Sequence, residues 1–223
     1  MKQLSSKKSG QAGFSLMELL VAMTIMMVLL GIVGTLMSRS MSIRNRESRR
    51  TDALTSAQAA LNVMSREISN AGFGIYKDDP RIANNGLIPA DSNENRIHFR
   101  TNIVNQGFIS DPAGTTVLTT DDPGEDVTYF FDAATDSIVR YDPNATPTTS
   151  VVVNRISNVR FRYFNYVGDS STPTISTTPT ADTGRVQINV TVQMDPVVGQ
   201  PDDQVSFTSE VTLRNSAYML RQY

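Results

Sequence analysis

Residues 13–37 read GFSLMELLVAMTIMMVLLGIVGTLM, and this stretch sets the architecture of the whole chain. From Phe14 to Met37 the residues are apolar except for Ser15, Glu18, Thr24 and Thr35. At ~1.5 Å of rise per residue, a helix over 14–37 is ~36 Å long, enough to cross a ~30 Å hydrocarbon core with some tilt. No second stretch of this kind follows, so the sequence predicts that the protein spans a membrane once at most.

A short basic segment precedes the apolar stretch. The first 13 residues contain Lys2, Lys7 and Lys8 and no acid. A secretory signal peptide would place a small-residue cleavage site after its apolar region. Here the apolar stretch continues into Leu36-Met37-Ser38-Arg39-Ser40, which is no such site. The order of the segments therefore argues against an ordinary signal peptide.

The run Gly13-Phe14-Ser15-Leu16-Met17-Glu18-Leu19-Leu20 resembles the leader junction of type IV prepilins and of type II secretion pseudopilins. The resemblance implies that a prepilin peptidase cleaves after Gly13 and that the new N-terminal residue, Phe14, is N-methylated. It also implies that Glu18, at the fifth mature position, acts in assembly and subunit docking. A protein of this kind is a structural subunit, so we expect no enzymatic activity and no cofactor.

The position of Glu18 supports this interpretation on physical grounds. A carboxylate at the centre of a spanning helix costs ~2.5–3.5 kcal/mol on insertion scales, and less near the end of the span. A filament would supply a partner, the α-amine of Phe14 on a neighbouring subunit. The alternative is an interfacial acid at a helix N-terminus, where the helix dipole favours a negative charge.

An apolar stripe indicates that the helix continues beyond the membrane. The pattern has helical spacing, and its members are Leu54, Ala57, Leu61, Met64, Ile68 and Ala71. Proline is absent from Phe14 to Asp79, and Gly72 is a suitable C-cap. We therefore expect one helix from about Ser15 to Ala71. A free coiled coil is the weaker alternative, because only about three heptads hold.

Basic residues flank the apolar stretch on both sides. Three lysines precede it, and five arginines between Arg39 and Arg50 follow it together with Glu47 and Asp52, so that the net charge is +3 on each side. Charge alone therefore does not set the topology. The leader resemblance implies a cytoplasmic N-terminus. The arginine-rich segment fits either a collar facing phospholipid or a solvated helix face with i,i+4 partners.

The period of the pattern changes from 3.6 to 2 after Arg96, which is typical of strands with one buried face. The predicted strands are Arg96–Arg100, Val127–Phe131, Ser137–Asp142, Val159–Tyr163, Val186–Gln193 and Val205–Arg214. Segments 77–95 and 168–184 are rich in turn residues and are predicted to be loops. The predicted fold class is α+β, a long N-terminal helix packed on an antiparallel β-sheet head.

Four segments follow from these patterns. Residues 1–13 form the leader and 14–37 the transmembrane or filament-core helix. Residues 38–72 form the amphipathic part of the helix, and 73–223 form the β-rich head. The leader resemblance implies a single-pass protein of the inner membrane with a periplasmic head, later placed in a pilus at the cell surface.

Two head fragments resemble the W-type minor pilins of type IV pili: the hairpin over 127–140 and the strand end Val211-Thr212-Leu213-Arg214-Asn215. The resemblance implies a minor pilin whose partners are other pilins, prepilin peptidase, the inner-membrane assembly platform and membrane lipid. One alternative is a J-type pseudopilin of type II secretion. Another is a membrane-tethered periplasmic binding or adhesion domain. A tethered hydrolase has no residues to support it.

Other functional chemistry is limited by composition. The chain has no cysteine, which excludes a thiolate site. Its net charge of −2 argues against nucleic acid as a main partner. The single histidine, His98, is predicted to be a solvated strand residue on the face of Arg96 and Arg100. The carboxylates of Asp121, Asp122, Glu125 and Asp126 could together hold calcium, although a solvated acidic turn is the simpler interpretation.

Overall fold

The computed structural model describes residues 13–75, 84–104, 108–110, 116–118, 120–193 and 204–222. The helices are α1 (Leu16–Ser69) and α2 (Ala217–Leu220), with a 3-10 turn at Pro89–Asp91. The strands are β1 (Arg96–Arg100), β2 (Phe108–Ser110), β3 (Thr116–Leu118), β4 (Asp126–Asp132), β5 (Ser137–Tyr141), β6 (Thr149–Asn154), β7 (Asn158–Asn165), β8 (Thr174–Ser176), β9 (Thr183–Gln193) and β10 (Gln204–Thr212). The chain divides into two compact units, one up to Arg49 and one from Arg50.

The first unit contains the apolar part of α1. An 18-residue window of this helix has a mean hydropathy of 2.5, and none of the window is buried within the chain. Within the part of the chain that the structure describes, it is the one helix long and apolar enough to cross a membrane. Its large apolar side chains are more than half exposed from Leu16 to Met37. Within the described residues this surface is uncovered, and an apolar surface of this size is typical of a site that contacts lipid or protein.

The second unit is built from antiparallel strands. Its two four-stranded sheets have the orders β1-β4-β5-β6 and β10-β9-β7-β8, and β2 pairs with β3. The predicted α+β class is confirmed. Each predicted strand overlaps an observed one, and the predicted hairpin is the β4–β5 pair. The strands form two main sheets, a division that the period of 2 could not reveal.

Some strands were missed in the sequence. The predicted loop 168–184 contains β8, which pairs with Tyr163–Asn165, and its end belongs to β9. Strand β8 is short and its side chains are largely exposed, so backbone pairing forms it without an apolar pattern. Strand β6 was missed because its side chains do not alternate between buried and exposed. It lies at the edge of its sheet, and its pairing register with β5 shifts between Ile138 and Val139.

The apolar stripe of α1 is buried against the head, as predicted. Met64 and Ile68 are fully buried, and they belong to one core cluster with residues of both four-stranded sheets. Burying one such side chain contributes about 1.5–3 kcal/mol. The fully buried strand residues of this cluster include Ile97, Val127, Tyr129, Ile138, Val159, Phe161, Tyr163, Val186, Ile188, Val190 and Val192.

The end of α1 is fixed by a close approach of two backbone segments. Gly72 has φ +80°, and its N–H donates to the carbonyl of Arg100 at 2.9 Å. A Cβ on Gly72 would lie 1.7 Å from the carbonyl oxygen of Asn84. Gly86, on the facing segment, also has positive φ, and its carbonyl accepts from the Arg100 N–H at 2.8 Å. Glycine is therefore required here by both conformation and space.

Gly72→Ala should destabilise the head strongly, by more than about 3 kcal/mol, because conformational strain and a backbone clash add. Gly168→Ala is the matched control, since Gly168 has φ +56° but nothing within 4 Å of its Cβ position. The free energy of unfolding of this control should fall by only about 1–2 kcal/mol. Urea unfolding of the full chain in detergent, followed by tyrosine circular dichroism, measures both. Equal losses would contradict the close approach.

Candidate functional site

The predicted cleavage junction lies on exposed backbone just before α1. Gly13 and Phe14 precede the first helical residue, and the Phe14 side chain is 88% exposed. Among the described residues, no atom lies within 4 Å of a Cβ built on Gly13. Glu18 lies in the first turn of the helix that follows the junction.

Ser15 and Glu18 form a capping box at the start of α1. The backbone N–H of Ser15 donates to Glu18 Oε2 at 3.0 Å, and the N–H of Met17 donates to Ser15 Oγ at 3.3 Å. Each bond satisfies a backbone donor that the helix leaves unpaired. This contact was not predicted, although Ser-x-x-Glu ahead of an apolar run is its sequence signal.

Capping leaves Glu18 able to bind a second partner. A carboxylate has two oxygens and about four lone-pair sites, and the capping bond uses one of them. The surface beside Glu18 is an apolar groove lined by Met17, Val21, Ala22 and Ile25. Glu18 is therefore a charged group at the edge of an apolar helix surface, held in place by its own backbone.

The four predicted calcium ligands do not all come together. Candidate ligand oxygens of Asp121, Asp122 and Glu125 lie within 4.8 Å of one another. Glu125 is fully buried and accepts from the backbone N–H of Val104 at 2.9 Å and of Asp122 at 3.3 Å, so it anchors the loop. Asp126 contacts His98 instead. The calcium site stays a prediction for the first three residues.

The prediction that His98 is solvated is wrong, because this histidine is only 8% exposed. Its Nδ1 lies 3.2 Å from Asp91 Oδ2 and its Nε2 lies 2.5 Å from Asp126 Oδ1, while Arg100 Nε donates to Asp126 Oδ2 at 2.9 Å. An irregular segment that contains Ile88 lies along the edge of β1. The Ile88 N–H donates to the His98 carbonyl at 2.9 Å. The side chain links the 3-10 turn to β4.

A second polar cluster ties α1 to the first sheet. The Tyr129 hydroxyl donates to Glu67 Oε2 at 2.6 Å, and Arg140 Nε donates to the same oxygen at 3.0 Å. Arg140 also bonds Asp142 at 3.1 Å. Burial raises the pKa of the Tyr129 phenol, and the negative charge of Glu67 raises it further. Burial likewise raises the pKa of Tyr163. These bonds link structural elements and position no reactive group in the described residues.

A comparison with protein families bears on the N-terminal junction. Residues 8–34 match the prokaryotic N-terminal methylation motif. The match contains Gly13, Phe14 and Glu18, and it covers the start of the exposed apolar helix. The motif supports a type IV pilin or a pseudopilin, a class of generally structural proteins. No curated protein and no solved structure matches the chain significantly.

The two buried tyrosines predict a loss of stability at alkaline pH. Because the pKa of each is raised in the folded state, their contribution is complete below the unfolded tyrosine pKa of about 10 and is lost as the pH rises above it. The loss should approach about 1.4 kcal/mol per pH unit for each tyrosine. Urea unfolding between pH 9 and 12 measures it. Tyr129→Phe and Tyr163→Phe should each flatten the profile, and an unchanged slope in both would contradict this account.

Proposed function

We propose that this protein is a minor pilin of a type IV pilus, cleaved after Gly13 and N-methylated on Phe14. The observation that carries the proposal is the methylation motif at the start of a helix whose apolar surface is unburied. Lipid covers such a surface while the subunit waits in the membrane, and neighbouring helices cover it in a filament. One surface thus serves two successive environments.

The proposed course runs from membrane to filament. The prepilin enters the inner membrane with its leader in the cytoplasm and its head in the periplasm. Prepilin peptidase removes residues 1–13, and the assembly platform transfers the subunit into a pilus. The partners are then the other pilins and minor pilins. The subunit does mechanical work through helix packing and surface display, and it needs no enzymatic activity or cofactor.

The choice of a pilus over a secretion system rests on the head. The β4–β5 hairpin and the end of β10 carry the two fragments that resemble W-type minor pilins. The methylation motif is shared with pseudopilins and does not separate the two systems. A J-type pseudopilin therefore stays the alternative, and recovery in sheared pili rather than with a secretion channel distinguishes them.

We assign Glu18 a second role in the filament, pairing with the Phe14 amine of a neighbouring subunit. Cleavage creates this amine, so the pair can form only after processing. Opposite charges at ~4 Å attract by ~4 kcal/mol at an effective dielectric of ~20, which offsets the cost of a carboxylate in an apolar environment. The capping bond fixes the carboxylate near the N-terminus of its own helix, where such a contact can form.

Two substitutions separate pairing from capping. Glu18→Gln keeps a capping-box residue and removes the charge, whereas Glu18→Ala removes both. If pairing drives assembly, both variants should be cleaved and inserted into the membrane normally. Their abundance in sheared filaments should fall at least roughly tenfold, which corresponds to a loss of about 1.4 kcal/mol of assembly free energy. The measurement is the abundance of each protein in sheared pili relative to the membrane fraction.

Glu47→Gln is the matched control, because it makes the same charge change on the same helix outside the apolar stretch. It should assemble as wild type does. Wild-type recovery of Glu18→Gln with loss of Glu18→Ala would show that capping alone matters. Normal assembly of both Glu18 variants would remove the pairing role, and absence of the wild-type protein from every filament would favour a membrane-tethered domain.

A further inference from the structure

The segment that follows the apolar stretch is a compact group of arginines. Arg39, Arg44, Arg46 and Arg49 all lie on α1, and the segment from Arg39 to Asp52 contains five arginines, two acids and no lysine. Arg39 and Arg44 are exposed. The positive charge is therefore concentrated at the point where a membrane-crossing helix would emerge from the membrane.

The depth of these residues matches the phosphate layer of a bilayer. If the span ends near Met37, Arg39 lies ~3 Å and Arg44 ~10 Å further along the helix. The polar region on each side of the hydrocarbon core is ~5–8 Å thick. Long arginine side chains can also reach back toward the interface while their stems cover apolar surface. Arg39 and Arg44 can therefore both reach phosphate groups.

Arg39 and Arg44 lie on different sides of the helix, ~140° apart at ~100° per residue. Arg46, Arg49 and Arg50 lie within ~80° of Arg39 and share its side of the helix. A protein partner or a second helix would contact one side only. A helix that crosses a headgroup layer meets phosphates in every direction, so the separation of Arg39 and Arg44 favours lipid.

The use of arginine in place of lysine indicates a phosphate group as the ligand. The guanidinium group binds phosphate oxygens through two parallel N–H bonds, which the lysine ammonium cannot do. The leader uses lysine for its charge, at positions 2, 7 and 8, whereas the segment after the span uses arginine alone.

We propose that Arg39 and Arg44 bind the headgroups of anionic phospholipids in the leaflet on the head side of the membrane. The proposal rests on the proposed insertion of residues 14–37. Binding holds the unassembled subunit in the membrane at a fixed depth, and these contacts must be released when the subunit enters a filament. Each arginine is expected to contribute roughly fivefold to the preference for an anionic lipid.

The test uses the full chain purified in micelles that contain equal amounts of phosphatidylglycerol and phosphatidylcholine, with bound lipid counted by native mass spectrometry. Wild type should retain phosphatidylglycerol preferentially. Arg39→Gln/Arg44→Gln should lose this preference by at least roughly tenfold. Arg160→Gln/Arg162→Gln removes the same charge from two exposed positions of β7 and should behave as wild type does.

Three outcomes would overturn the proposal. The first is an Arg39/Arg44 variant that keeps the wild-type preference for phosphatidylglycerol. The second is an equal loss of this preference in the Arg160/Arg162 control, which would mean that only the net charge of the protein matters. The third is displacement of the lipid by millimolar inorganic phosphate, which would identify a free-phosphate site. Carbonate extraction of membranes scores insertion separately: a wild-type protein released by carbonate would contradict the insertion as well, whereas an inserted protein without lipid preference would contradict this inference alone.

Discussion

A long apolar helix surface, exposed in the described part of the chain, constrains everything else in this protein. From Leu16 to Met37 the large side chains of α1 stay mostly exposed, whereas from Ala57 to Ile68 the same helix buries a stripe in the core of the head. The buried stripe stabilises the head without help. The exposed stretch is a surface suited to lipid or to other helices, and the methylation motif at its start supports a type IV pilin or a pseudopilin.

The head holds its part of the helix by packing and by a few polar links. Residues of both four-stranded sheets share one core with α1, and the Tyr129–Glu67–Arg140 contacts tie the helix to the β4–β5 hairpin. The close approach at Gly72 then ends the helix against the edge of β1. The Tyr129–Glu67 and His98–Asp126 hydrogen bonds link separate elements of the head to one another.

The sequence predicted the features that repeat along the chain and missed those that depend on distant or irregular segments. The stripe through Met64 has helical spacing, and the strands of the head alternate, so both could be recognised. The burial of His98 could not, because the segment that covers it has no periodic pattern. The role of Glu18 in assembly stays a prediction, and its capping bond to Ser15 was overlooked although the sequence signal was present.

The intact mass of the protein purified from cells that contain prepilin peptidase shows whether the leader is removed. The mature chain should begin at Phe14 and carry one methyl group on its amine. Gly13→Ala serves as the comparison and should accumulate in the membrane with its leader attached, because the apolar stretch lies entirely after the junction. A wild-type chain that retains Met1–Gly13 would contradict the account, since neither the amine nor the filament contact could then form.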